Sequence, residues 1–102
     1  MVLDIDSSNF ASSIAEGIAI IDFWAPWCAP CKMMAPVVDK IAQNNPDILV
    51  GKVDIDECKE IAKKYNILSI PTLIIFKNGE EADRTVGVTQ EKKIMEKVNA
   101  IK

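Results

Sequence analysis

Two cysteines, Cys28 and Cys31, are the residues of this sequence best suited to chemistry. They follow an apolar run and stand at the expected start of a helix, where residues i and i+3 lie on the same side. Their sulfurs can therefore form a disulfide or stand together as a dithiol. The unpaired N–H groups and the dipole of a helix start favour a negative charge, which stabilises a thiolate at Cys28. The spacing predicts a nucleophile at Cys28 and a resolving partner at Cys31.

Two other uses of a cysteine pair stay open from the spacing alone. The pair can be a purely structural disulfide, and cysteines also bind zinc. Tetrahedral zinc needs four ligands, and the chain has no second C-x-x-C pair and no histidine, so we expect no metal site. The absence of histidine also removes the base on which Cys–His hydrolases depend.

Length and composition limit the class of protein. With 102 residues and 49% hydrophobic side chains, the chain is expected to form a single domain over residues 1–102. The formal net charge of −3 and the lack of a basic patch argue against nucleic acid and anionic membranes as partners. The first residues lack the pattern of a signal peptide, and no apolar run is long enough to span a bilayer. Three cysteines are few for a disulfide-stapled secreted domain, so we expect a cytoplasmic protein.

The elements that must position the cysteines follow from hydrophobic periodicity. The run from Ile18 to Trp24 is apolar except for Asp22, which is typical of a strand covered on both faces. A helix is expected from Pro30 to about Asn44, with a kink at Pro36. Four more strands are predicted, at 2–5, 48–54, 72–76 and 81–86.

The remaining elements are shorter. The Asn78-Gly79 pair is typical of a hairpin turn between the last two strands. Three further helices are predicted, with their N-caps at Ser7 or Ser8, Asp56 and Thr89. The order is βαβαβαββα, with helices as crossovers between parallel strands and the hairpin at one edge.

The stretch from Trp24 to Lys32, Trp-Ala-Pro-Trp-Cys-Ala-Pro-Cys-Lys, resembles the active site of the thioredoxin family. Further matches occur in the same order along the chain, at Asp22-Phe23, Ala35-Pro36, Ile70-Pro71-Thr72 and Phe76-Lys77-Asn78-Gly79. The resemblance implies the thioredoxin fold, an α/β domain with a mixed five-stranded sheet flanked by four helices. One departure is the Ala29-Pro30 dipeptide between the cysteines, where the family usually has Gly-Pro. An altered dipeptide changes the redox poise of the pair.

The resemblance implies a protein-disulfide reductase and electron carrier that acts by thiol–disulfide exchange. In this role Cys28 attacks a substrate disulfide, and Cys31 resolves the mixed disulfide. Asp22 interrupts an apolar strand, where burial raises the pKa of a carboxyl, and such a group suits a proton acceptor for Cys31. The family assigns that role to the matching aspartate, and Lys52 on the neighbouring strand is implied to tune it. Asp22 paired only for structure, and Lys52 as a snorkelling strand lysine, stay open as alternatives.

The resemblance also implies the surroundings of the pair. Pro71 is expected to have a cis peptide bond beside the dithiol. Trp24 and Pro36 are expected to be structural. Cys58 lies on the apolar stripe of its helix, either as a small buried hydrophobe or as a redox-sensing thiol. An apolar surface for substrates is expected at Trp27, Ala29, Pro30, Ile70 and Gly87.

Partners and cofactors follow from the same resemblance. No cofactor is expected on this chain, because NADPH and FAD belong to the implied partner, thioredoxin reductase. Implied clients are ribonucleotide reductase, peroxiredoxins and methionine sulfoxide reductases, and the chain is expected to be a monomer. Two other functions stay open, a redox-tuned oxidase or isomerase and a thioredoxin-fold interaction module. The presence of Cys28, Cys31, Asp22 and Pro71 together argues against a pure interaction module.

Overall fold

The computed structural model describes residues 1–102 as a five-stranded sheet with helices on both faces. The strands are β1 (Leu3–Ile5), β2 (Ile18–Trp24), β3 (Leu49–Asp54), β4 (Thr72–Lys77) and β5 (Glu80–Val86). The helices are α1 (Phe10–Ile14), α2 (Ala29–Asn44), α3 (Lys59–Lys64) and α4 (Glu91–Ile101). The α/β class, the mixed five-stranded sheet and the order βαβαβαββα are therefore confirmed.

The strands lie in the order β1-β3-β2-β4-β5. Both β1 and β2 run parallel to β3, whereas β4 is antiparallel to β2 and β5 is antiparallel to β4. The expectation that every helix connects parallel strands is therefore wrong for α3, which leads into the antiparallel β4. Because β4 is buried on both faces, its apolar run looks the same for either strand direction, and the pattern does not distinguish them.

Each face of the sheet has its own apolar cluster. On one face, α1 and α3 cover a cluster in which the rings of Phe10, Tyr65 and Phe76 contact one another at centroid distances of 5.3–5.8 Å. On the other face, α2 and α4 pack their inner residues against Ile20 of β2. Side chains alternate along a strand, so Asp22 lies on the same face as Ile20, beneath α2.

The predicted N-caps of the three short helices are wrong. The residues that precede α1, α3 and α4 are Asn9, Cys58 and Gln90, and none of their side chains caps the helix by a hydrogen bond. The hydroxyl and the N–H of Ser8 donate instead to the Asp6 carboxylate, and the Thr89 hydroxyl donates to the Gly87 carbonyl. Short polar side chains in loops often bond to neighbouring loop groups, which compete with the helix end.

Asn78 has two functions in the hairpin between β4 and β5. Asn78 and Gly79 both have positive φ, at 51° and 89°, which builds the turn predicted from this pair. The Asn78 side chain also accepts a hydrogen bond from the Gly17 N–H at 2.9 Å, and its own N–H donates to the Gly17 carbonyl at 2.9 Å. The hairpin is thereby joined to the residue that precedes β2.

Replacing Asn78 by Ala should lower the free energy of unfolding by about 1–2 kcal/mol, because it strains the left-handed backbone and removes the side-chain bond to Gly17. The matched variant is Asn78→Gly, which adopts positive φ without strain and loses only the side-chain bond, so its loss should be about half as large. Urea unfolding measures both variants. A stability of Asn78→Ala equal to that of the unsubstituted protein would contradict this account.

Candidate functional site

Cys28 and Cys31 form a disulfide at the start of α2, with their Cα atoms 5.3 Å apart. Cys28 is the N-cap of α2, and its sulfur accepts a hydrogen bond from the Cys31 N–H at 3.2 Å. This N–H is one of those that a helix start leaves unpaired, and at most N-caps it bonds to a side-chain oxygen. A thiolate at Cys28 would accept the same bond and face the positive end of the helix dipole. The arrangement therefore favours a charged sulfur at Cys28.

Both cysteines are buried, with 4% of each residue exposed. They pack against Trp24, Ile55 and Ile70, which are each partly buried. Ile55 was not among the residues predicted from the sequence. Its N–H donates to the Trp24 carbonyl at 2.9 Å, so it continues the pairing with β2 one residue beyond the end of β3. The position of Ile55 directly after the predicted β3 strand is the signal that could have identified it.

Asp22 lies in the middle of β2 and is 5% exposed. It lines a cavity of about 120 Å³ together with Cys31 and Ala35, and its Oδ1 atom has no hydrogen-bond partner. Burial raises the pKa of Asp22 to about 7, and the positive charge of Lys52 opposes part of that rise. A carboxyl that titrates near neutral pH beside Cys31 can take up and release a proton under physiological conditions.

Lys52 lies opposite Asp22 in the register of β3 with β2, and both residues line the same cavity. Its ammonium does not form an ion pair with Asp22. It pairs instead with Asp4 of β1 at 3.7 Å, and it lies 5.2 Å from the centroid of the Trp24 ring. Lys52 therefore acts on Asp22 through space and not by direct contact. The indole N–H of Trp24 is buried without a partner.

Trp27 projects from the loop before Cys28 and is 68% exposed. Its indole N–H donates to the Asp56 carboxylate at 2.8 Å. This bond was not predicted, because Asp56 fits a helix cap in the sequence and no local pattern links residues 29 positions apart. Trp27 forms one wall of a mostly apolar groove of about 300 Å³, whose other lining residues are Ile55, Ile67, Leu68, Ser69 and Ile70.

The loop before β4 lies beside the disulfide. The peptide bond between Ile70 and Pro71 is cis, and the Ile70 carbonyl oxygen is 3.8 Å from the Cys28 sulfur. Pro71 is buried, and its carbonyl accepts a hydrogen bond from the Gly87 N–H at 2.8 Å. Gly87 has a φ of 85°, a conformation that glycine adopts without strain. The structure thus brings Ile70, Pro71 and Gly87 together near the cysteine pair.

The other predicted site residues lie on α2. Ala29 and Pro30 are exposed in its first turn. The helix begins at Ala29, one residue before the predicted start at Pro30. Pro36 is exposed in the interior of the helix, where it has no N–H to donate to the carbonyl four residues earlier. The substrate contacts of Ala29 and Pro30 and the structural role of Pro36 stay predictions.

Cys58 is the one cysteine outside the pair, and it is unpaired and buried in the cluster beneath α1 and α3. Burial raises the pKa of its thiol, and the nearby Asp6, Glu57 and Asp54 act in the same direction. These conditions disfavour the reactive thiolate, so the structure favours a small buried hydrophobe over a redox sensor.

No group of three or more His, Cys, Asp or Glu side chains is arranged to hold a metal ion. None of the four helices combines the length and the apolar character that crossing a bilayer requires.

Comparison with known proteins adds a family to this geometry. The family profile described as Thioredoxin matches residues 1–100. The thioredoxin of Chlamydia trachomatis is 43% identical over 99 residues, which cover 97% of both chains. The thioredoxin of Bacillus subtilis is 45% identical over 92 residues, which cover 89% of this chain and 88% of that protein. The thioredoxin of Staphylococcus epidermidis is 44% identical over 98 residues, which cover 93% and 92% respectively.

The variant Asp22→Asn should be more stable than the unsubstituted protein at pH 8. The pKa of Asp22 is raised from its ordinary value of 3.8 to about 7, so between these pH values the folded state binds more protons than the unfolded state. Stability therefore falls as the pH rises through this window. The loss reaches at most about 4 kcal/mol above pH 7, and a neutral amide removes it.

Urea unfolding of the oxidised protein at pH 4, 6 and 8 measures this effect. The stability gained by Asp22→Asn should be largest at pH 8 and should shrink towards pH 4. Asp39→Asn is the matched control, because Asp39 is exposed on α2 and its variant should show no such trend. A gain for Asp22→Asn that is the same at all three pH values would exclude the buried carboxylate as its cause.

Proposed function

The chain belongs to the thioredoxin family, and we propose that it is a general protein-disulfide reductase that carries electrons through Cys28 and Cys31. Family and cysteine pair together make it a thiol–disulfide oxidoreductase. The observation that carries the proposed reductase activity is the hydrogen bond from the Cys31 N–H to the Cys28 sulfur at the start of α2. It favours Cys28 as the charged, attacking sulfur and leaves Cys31 to resolve the intermediate.

The proposed reaction starts from the reduced dithiol. The Cys28 thiolate attacks one sulfur of a substrate disulfide, so that a bond from Cys28 to the substrate forms and the other substrate sulfur leaves as a thiolate. Cys31 then gives its proton to the Asp22 carboxylate and attacks the Cys28 sulfur. The Cys28–Cys31 bond forms, and the second substrate sulfur leaves as a thiolate. Two electrons have passed from the dithiol to the substrate.

The role of Asp22 as proton acceptor is supported by its surroundings. Its Oδ1 atom is unpartnered, and it shares a cavity of about 120 Å³ with Cys31. A water molecule occupies about 30 Å³ of liquid volume, so this cavity is large enough for a proton relay through water. A pKa of about 7 lets the carboxyl accept the proton of Cys31 and later release it to solvent. Lys52 is assigned the tuning of this pKa.

The proposed substrates are extended segments that carry a disulfide. Ile70 makes no hydrogen bond to another backbone group, and its carbonyl contacts only the Cys28 sulfur at 3.8 Å, so its backbone can pair with a substrate strand beside Cys28. The groove behind Trp27 offers an apolar surface to the flanking substrate residues. We propose that the exposed first turn of α2, at Ala29 and Pro30, and the backbone at Gly87 complete the contact surface.

The family implies disulfide-containing substrates and a reductase partner. We propose that the partner is a flavoprotein thioredoxin reductase, which supplies electrons from NADPH through FAD, so that this chain needs no cofactor of its own. Proposed clients are ribonucleotide reductase, peroxiredoxins and methionine sulfoxide reductases. We further propose that the protein is monomeric and cytoplasmic. It acts as a single domain over residues 1–102.

The variant Cys28→Ser should abolish the reduction of insulin by dithiothreitol, because serine cannot form the mixed disulfide. Cys31→Ser should form that mixed disulfide and fail to resolve it, so that the covalent adduct accumulates. Cys58→Ser is the matched control and should retain full activity. Turbidity measures insulin reduction, and mass spectrometry measures the adduct. Reduction of insulin by the Cys28→Ser variant would refute the proposed function.

The variant Asp56→Ala should weaken the binding of protein substrates, because it frees the Trp27 ring from its one hydrogen bond. The KM for insulin should rise about 3- to 10-fold, the equivalent of one lost hydrogen bond, with little change in kcat. Glu57→Ala is the control, since this exposed neighbour makes no hydrogen bond to Trp27. The same KM in both variants would mean that Trp27 needs no such support.

A further inference from the structure

Three charged residues, Asp4, Lys52 and Asp22, form a row across the neighbouring strands β1, β3 and β2. The register places Asp4 opposite Lys52 and Lys52 opposite Asp22. Register partners in parallel strands lie on the same face, and neighbouring strands are only about 4.8 Å apart. A single cation therefore lies between two carboxylates, one at the exposed edge of the sheet and one buried beneath α2.

The ammonium of Lys52 contacts only the outer carboxylate. It is 3.7 Å from Asp4 Oδ1, whose side chain is 90% exposed, and it rests over the ring of Trp24 at 5.2 Å. The buried carboxylate of Asp22 has no ion-pair partner, and its Oδ1 atom makes no hydrogen bond. Attraction to a buried charge is stronger than attraction to an exposed one, because the interior screens charge less than water. Entering the interior would cost the Lys52 ammonium its hydration, and the contact with Asp4 adds to this preference for the outer position.

We propose that Asp4 is a positioning residue for the proton acceptor, because it holds the Lys52 ammonium at the outer end of the row and keeps it from pairing with Asp22. A direct ion pair would stabilise the Asp22 carboxylate and make it a weaker base for Cys31. Asp4 thus preserves the proton affinity of a group that it does not touch.

No other charged residue around Asp22 and Lys52 holds the Lys52 ammonium in this way. Lys32 of α2 lines the same cavity but is exposed and forms no ion pair there. From β4 the register partner of Asp22 is Leu73, which is apolar. Asp54, two residues beyond Lys52, accepts the Asp56 N–H at 2.9 Å and forms no ion pair with Lys52. Among the charged residues of the neighbouring elements, only Asp4 holds Lys52.

This inference rests on the proposed role of Asp22, but its main test needs no turnover. The carboxyl carbon of Asp22 can be titrated by NMR in the resting, oxidised protein. With Asp4→Asn, Lys52 is free to approach Asp22, so the midpoint should fall by about half a pH unit, the range expected for one exposed ion pair. Thermal unfolding checks that the variant is folded.

Two controls separate positioning from a general loss of negative charge. Glu57→Gln removes one charge from the same cavity of about 450 Å³ that Asp4 and Lys52 line, and it should leave the midpoint within about 0.1 unit. In a Lys52→Gln background, Asp4→Asn should have no effect beyond that of Glu57→Gln. Equal shifts for Asp4→Asn and Glu57→Gln, or an undiminished shift without Lys52, would overturn the proposal.

The pH dependence of insulin reduction provides the second measurement. If both inferences hold, the pH of half-maximal rate in Asp4→Asn falls by the same amount as the NMR midpoint. A shifted NMR midpoint with an unchanged rate profile supports the positioning of Lys52 and refutes Asp22 as the proton acceptor. If Asp4→Asn does not fold, Asp4→Ser, which also lacks the charge, is compared with Glu57→Gln in the same way.

Discussion

Burial of β2 on both faces is the constraint on which the site depends. The strand is paired on both edges, and the helices cover its two faces, so residues 19–23 are all buried. Asp22 is the one charged residue in that segment, and the strand leaves it no partner at Oδ1. The stability that the apolar neighbours contribute allows the fold to contain an unfavourable group. This burial is what raises the pKa of the Asp22 carboxyl.

The end of the same strand determines where the sulfurs lie. After Trp24 the chain makes a short turn, closed by the Cys28 N–H donating to the Ala25 carbonyl at 3.1 Å, and α2 begins at Ala29. Cys28 thereby becomes the N-cap, and Cys31 becomes the first residue whose N–H reaches back to it. One strand thus carries the buried Asp22 carboxyl in its middle and leads to the N-cap sulfur of Cys28 just past its end. Asp22 and Cys31 line the same cavity, so the strand and the helix that follows it bring both groups to one place.

Much of this could be predicted from local pattern. Ile18–Trp24 is confirmed as a strand with these bounds, because continuous burial leaves a continuous apolar run, and Asn78-Gly79 is confirmed as the hairpin turn. What depends on register or long-range pairing could not be predicted. Asp56 accepts a hydrogen bond from the indole of Trp27, which lies in another loop. Lys52 pairs with Asp4, which lies on the neighbouring edge strand β1. The predicted helix caps at Ser8 and Thr89 are wrong for a different, local reason, since each side chain has a nearer acceptor in its own loop.

Cys58 lies on the opposite face of the sheet from α2, in the cluster that contains Phe23 and Phe76. Cys28 and Cys31 belong instead to a separate small cluster with Ala25, where they are paired with each other and Cys58 stays unpaired. Apart from the mixed disulfide with a substrate, the pair has two covalent forms, dithiol and disulfide, which differ by one electron pair. Thiol–disulfide exchange at this pair therefore moves electrons two at a time, while burial and the raised pKa of the Cys58 thiol disfavour its taking part.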